Sequence, residues 1–110
     1  MLDLVFYETT GGNSPVEQYL RDQIEPDRAV LLEKLKAFCE EFPRLLTIDV
    51  KHLRGKIWEI RIAGTSGRHH RLIYAVVGRD LVILHAFTKR TPKTPPRELK
   101  LAERRLKEMT

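Results

Sequence analysis

A single cysteine stands among the 110 residues. One thiol rules out an internal disulfide and leaves too little sulfur for a zinc site. Aromatic residues make up only 7% of the chain. No apolar run approaches the roughly 18 residues of a membrane span, so no membrane partner is expected. The first residues, MLDLVFYE, lack the basic stretch and the apolar length of a signal peptide, and the expectation is a cytoplasmic protein. Internal repeats and low-complexity tracts are absent too, leaving one domain over residues 1–110. What is present is a 42% hydrophobic content, enough for one buried core at this length.

Charge is abundant and unevenly placed. Residues 1–50 hold 5 Lys/Arg against 10 Asp/Glu, whereas residues 51–110 hold 15 against 5. A half-chain with that excess of cations repels itself unless an anion neutralises it. Nucleic acid is the usual anion, because each neutralised phosphate releases condensed counterions. A merely solvated basic surface is the plainer alternative.

Periodicity divides the chain. Leu2–Tyr7 reads as a short strand rich in β-branched and aromatic residues. Ser14, Pro15 and Glu17 combine a cap, a first-turn proline and a capping-box partner, so a helix should run from there to about Gln23. A second helix from about Pro26 and Asp27 carries Leu31, Leu32, Leu35, Phe38, Cys39 and Phe42 at helical spacing until Pro43 stops it. Cys39 lies in that stripe and reads as a buried filler. From Ile57 the period falls to 2, with Trp58, Ile60 and Ile62 on one face and Ile57, Glu59 and Arg61 on the other. Trp58 therefore reads as core. His69–Val77 and Leu81–Phe87 are two more strands, joined by a hairpin at Gly78-Arg79-Asp80. After the proline-rich TPKTPP a last helix starts near Pro95 or Pro96. Its stripe is Leu99, Ala102, Leu106 and Met109, and Arg97, Lys100, Arg104 and Lys107 line another face. The fold class is α+β, with a mostly antiparallel twisted sheet covered on one face by the early helices.

The segments Lys51-His52-Leu53-Arg54-Gly55, Trp58-Glu59-Ile60-Arg61 and His70-Arg71-Leu72-Ile73-Tyr74 occur in the order and spacing of the RelE/ParE toxin superfamily, which this chain resembles. Its ending, Leu84-His85-Ala86-Phe87-Thr88-Lys89-Arg90-Thr91-Pro92, is similar to the phage-derived, HigB-type branch. The resemblance implies the toxin of a type II toxin–antitoxin pair, an endoribonuclease (mRNA interferase) that cuts mRNA on the ribosome without metal or cofactor. It also implies a cognate antitoxin, in this branch often a helix-turn-helix protein. Carried over residue by residue, it makes Arg71 the grip on the scissile phosphate, Arg90 the aid to the leaving group and Arg61 a third cation, with Lys89 beside them. Lys51, Arg54, Lys56, Arg68, His70 and Lys93 become candidate contacts to mRNA and rRNA. Two lysines of the RelE pattern are missing here, where Ile57 and Glu59 stand, so their proton-acceptor role does not transfer.

The chemistry suits arginine. An RNA 2′-OH that attacks the neighbouring phosphate needs alignment, stabilisation of a dianionic transition state and management of two protons. The guanidinium fork donates paired, charge-assisted bonds to phosphate oxygens. A two-residue Gly78-Arg79 loop would set Arg71 opposite Ala86, so that Arg71 and Arg90 share an open face with Ile73, Leu84 and Thr88. A loop one residue longer would turn Arg71 toward Phe87 and Lys89. In the first register His85 points to the core beside Leu72. For the base, Glu59, Lys56, Lys89 and His70 all remain, although Glu59 is expected to pair with Arg61. His69 and His70 are adjacent on a strand, point to opposite faces and cannot jointly hold a metal. Two other readings stay open: a ParE-like toxin that inhibits DNA gyrase without cutting RNA, and a nucleic-acid-binding module with no activity.

Overall fold

The computed structural model describes residues 1–109. Strand β1 (Asp3–Phe6) is followed by helices α1 (Pro15–Arg21) and α2 (Glu25–Glu41). Then come strands β2 (Asp49–Arg54), β3 (Ile57–Ala63), β4 (His69–Val77) and β5 (Asp80–Thr88), and helix α3 (Pro96–Met109). This is the expected α+β class. The five strands form one sheet in the order β1-β5-β4-β3-β2, antiparallel except where β1 joins β5 in parallel.

Local signals account for the helix ends. The Ser14 hydroxyl accepts the Glu17 amide at 3.4 Å and Pro15 opens α1, as the sequence predicts. Glu17 does not close a capping box, however; its carboxylate reaches Arg21 one turn on, at 3.2 Å. Helix α2 ends at Glu41, just before Pro43. Its inner side presents Leu31, Leu35, Phe38 and Cys39 to Ile60, Ile62, Leu72, Tyr74 and Ile83 of the sheet. Burial raises the pKa of the Cys39 thiol, in keeping with a packing role.

Strand β2 lies beyond the sequence expectation. Its stretch DVKHLR is exposed or half-buried along its whole length because it forms the sheet edge, so no alternating pattern marks it. The face expected to be open is also partly covered. Leu99, Ala102 and Leu106 of α3 dock on Ile57, Ile73, Ala75, Val82 and Leu84 as a second core. Helix α3 is fastened there by Arg105 Nη1 donating to the Leu84 carbonyl at 2.8 Å and by His85 Nε2 against Glu98 at 2.7 Å. No helix of the described residues is long and apolar enough to cross a membrane.

The β4–β5 register departs from expectation in an instructive way. The hairpin is the two-residue turn, with Val77 opposite Asp80 and Gly78 at φ 61°. A β-bulge then follows: Tyr74 pairs with Ile83 but Ile73 pairs with His85, so Leu84 is the extra residue. From there the strands run one step out of phase, and Arg71 faces Phe87 rather than Ala86. The bulge also turns His85 away from Leu72 to stack on Phe87 beneath α3 (centroids 5.5 Å apart).

Candidate nucleic-acid site on the sheet

Strands β3 and β4 set Arg61 and Arg71 directly opposite each other. Two like charges in that relation repel, and each has taken an acid. Arg61 Nη2 bonds Asp49 Oδ1 of β2 at 2.7 Å, a contact that holds the arginine pKa above its usual value. Arg71 Nε lies 3.5 Å from Glu59 Oε1, and its Nη1 donates to the His70 carbonyl at 3.2 Å. Only 8% of Arg71 is exposed; burial pushes its pKa down, while Glu59 opposes that shift. Glu59 thus pairs with Arg71, not with Arg61 as expected. Its second oxygen accepts the Thr94 hydroxyl at 2.5 Å, drawing the segment before α3 across the arginine. An open cleft of about 290 Å³ remains on the other flank, lined by Asp49, Arg61, Ala63, His69 and Arg71. Beside it the Arg61 Nε is buried and has no acceptor among the described residues.

Lys89 joins this cluster. Its amide donates to the His69 carbonyl at 2.7 Å, and with Arg71, Phe87, Lys93 and Thr94 it borders a small recess. Arg90 does not. The bulge puts it on a separate cleft with Tyr19, Thr88, Arg97 and Glu98, so the expected gathering of Arg61, Arg71 and Arg90 is a pair with Lys89 nearby. Lys51 and Lys93 are exposed, Lys51 lying opposite Glu59 on the edge strand. Arg54 is tied to Glu103 of α3 at 2.6 Å, and Arg68 donates to Gln23 Oε1 at 3.2 Å. Lys56 lies away from the arginines, at a groove beside Trp58.

His70 is not a surface contact. It is wholly buried, with Nε2 2.8 Å from Asp27 Oδ2 and Nδ1 2.6 Å from the Tyr19 hydroxyl, which in turn meets Thr88 Oγ1 at 2.8 Å. Asp27, which reads as a helix-start acid, is equally buried. It accepts bonds from Thr65 Oγ1, Ser66 Oγ and the Ser66 amide of the Gly64–Gly67 turn. Ser66 and His70 hold its carboxyl well below the usual range. This chain of polar groups anchors α1, α2 and the β3–β4 turn to the start of β4 and the end of β5. His69, its neighbour on β4, faces the arginine cleft instead. Alternation along the strand separates the two imidazoles, and of the pair only His69 was left for the site. The sequence signal for it was present, in a histidine two residues before Arg71 on the same face.

No curated protein matches the chain. A family model described as phage-derived protein Gp49-like (DUF891) matches residues 18–107. That span runs from α1 through α3 and includes both arginines, their acids and His69. The chain belongs to the phage-derived Gp49-like family, a group associated with the toxins of toxin–antitoxin pairs.

Proposed function

We propose that this protein is the toxin of a toxin–antitoxin pair and acts as an endoribonuclease that cuts mRNA on the ribosome, with the Arg61–Arg71 cleft as its active site. One observation carries the reading: two arginines side by side on an open cleft, with a buried carboxylate against one and an imidazole on the rim. The arginines take the non-bridging oxygens of the scissile phosphate. Glu59, 2% exposed until the Thr94 hydroxyl leaves its second oxygen, then receives the 2′-OH proton as the 2′-oxygen attacks phosphorus. His69 gives a proton to the departing 5′-oxygen, which leaves a 2′,3′-cyclic phosphate and a 5′-hydroxyl. Glu59 thereby takes over, with a carboxylate, the acceptor role that lysines fill in the RelE pattern. Asp49 is the group that RNA must displace. It is 60% exposed and its partner 37%, so the pair is weak and a phosphate competes well against it. Lys89, Lys93 and Lys51 extend the cationic path to flanking phosphates and rRNA, and the antitoxin neutralises the toxin by binding it.

Inducible expression with mapping of mRNA 5′ ends tests this. The wild type should produce discrete cuts confined to translated regions, and Arg71→Ala should reduce them about 10²–10³-fold, the usual effect of losing one preorganised donor. Glu59→Gln should abolish cutting while the protein stays folded. Full toxicity of Arg71→Ala at normal expression would refute the site. Arrest with DNA damage and intact mRNA would point to the gyrase-directed activity of the ParE relatives, and no arrest to a binding module.

A further inference from the structure

On the sheet face opposite Arg71 lies an apolar groove that the nuclease reading does not use. It is bounded by the end of α2 and by the edge strand β2, and Phe42, Leu45, Val50, Trp58 and Val76 form its walls over about 610 Å³. Trp58, expected in the core, is 38% exposed here and leans on the exposed His52 ring (centroids 4.8 Å apart). Leu46, beside the groove, is almost fully exposed.

A second observation points to a ligand. Tyr74 lines the groove and is only 3% exposed; its hydroxyl has no hydrogen-bond partner among the described residues and is not sealed from solvent. The hydroxyl is left for an occupant of the groove, and apolar walls with a lone polar group are the usual design of a binding site. Charge selects the occupant. Lys56 lines the groove and Arg44 sits between its lining residues Pro43 and Leu45; neither makes an ion pair among the described residues. The nearby acid, Glu41, is spent on the Leu46 and Thr47 amides and the Thr47 hydroxyl. Beside the groove runs β2, the last strand of the sheet, with one edge unpaired. The walls are aliphatic and aromatic with few polar atoms, which suits a protein side chain better than a nucleotide.

We infer that this groove and the free edge of β2 receive an extended, acidic segment of a protein partner, whose large apolar side chains fill the groove while a polar group meets the Tyr74 hydroxyl. The segment adds to the sheet edge by backbone pairing, and its carboxylates answer Lys56 and Arg44. This inference does not depend on RNA cleavage, because the groove and the arginine cleft lie on opposite faces.

Trp58 is the only tryptophan, so intrinsic fluorescence of the full chain reads the groove directly. The probe is an acetylated, amidated peptide alternating glutamate with leucine and phenylalanine; the same peptide with lysine for glutamate, and a short oligouridylate, are the controls. The acidic peptide should shift Trp58 emission to the blue and saturate. Tyr74→Phe should weaken it about fivefold, the worth of one hydrogen bond. Lys56→Glu should weaken it about tenfold and favour the lysine peptide. Neither variant should alter the thermal midpoint or the Arg71-dependent cuts. The inference is overturned by the absence of a saturable shift, by equal affinity for the lysine peptide, by competition from oligouridylate, or by an emission change that tracks protein concentration and so reports a second copy.

Discussion

Replacing Gly64 by alanine should strike the buried polar network harder than any other single added methyl group at a glycine. A Cβ on Gly64 would lie 2.2 Å from Asp27 Oδ2, 2.7 Å from Asp27 Cγ and 2.8 Å from His70 Nε2. None of these atoms is the free end of a flexible chain. Asp27 is held by the Thr65 hydroxyl, the Ser66 hydroxyl and amide, and His70, and His70 is held at its far side by Tyr19. A methyl group therefore enters only by pushing the carboxylate off its donors or by lifting the turn from α2. We expect a loss of about 3 kcal/mol, the upper end of the overpacking range, because the neighbours cannot give way. With an unfolding entropy of about 2.1 cal/mol/K per residue, the 110-residue chain should lose about 13 °C of thermal midpoint. Circular dichroism melts at neutral pH measure it, with Gly11→Ala as the control. A Cβ on Gly11 meets nothing closer than 3.9 Å, so that variant should stay within about 2 °C of wild type. If Gly64→Ala melts within about 3 °C of wild type, the network is not the rigid anchor described and the reasoning fails.

Other expectations concern the same supports. Tyr19→Phe leaves His70 Nδ1 and Thr88 Oγ1 without their shared partner, and about 2 kcal/mol should be missing from its urea-unfolding free energy. Burial keeps the pKa of His85 below its ordinary value of 6.5 despite Glu98, and Arg105 also faces it. The folded state then binds fewer protons than the unfolded chain as pH falls, so the stability this histidine contributes is present above the unfolded value and lost below it. Melts at pH 7.5 and 5.5 should show the wild type losing stability on acidification and His85→Gln losing less. Arg54→Ala removes an exposed ion pair to Glu103 and should change stability by less than about 1 kcal/mol, a difference that shrinks in high salt.

Several features were legible because they are local. The Ser14 cap, the α2 stripe and the two faces of β3 each depend on neighbours within a few residues; the cap stands, the stripe stands except for Leu32, which is exposed, and β3 keeps Ile60 and Ile62 in the core but not Trp58. The phase of β5 was not legible. Leu81–Phe87 is apolar at almost every position, so a slip of one residue leaves the pattern unchanged and nothing in it marks the bulge at Leu84. That slip separated Arg90 from Arg71 and brought Lys89 in. Edge position hid β2, because burial on an outer strand depends on what covers it, and Trp58 on the neighbouring β3 lies at the open groove beyond the end of α2.

The sequence by itself determined the composition of the site: arginines on successive strands, a glutamate where a base is wanted, and a cationic second half. Periodicity and capping also settled the three helices and every strand but β2, since those choices are made between residues close in the chain. Only the tertiary structure decided which charges meet. Glu59 chose Arg71 over Arg61, Asp27 and His70 went to the core, and α3 closed part of the face that looked open. Each outcome depends on strands and loops far apart in sequence, and their registry is set by packing and by the need to satisfy buried polar groups, which no local pattern records.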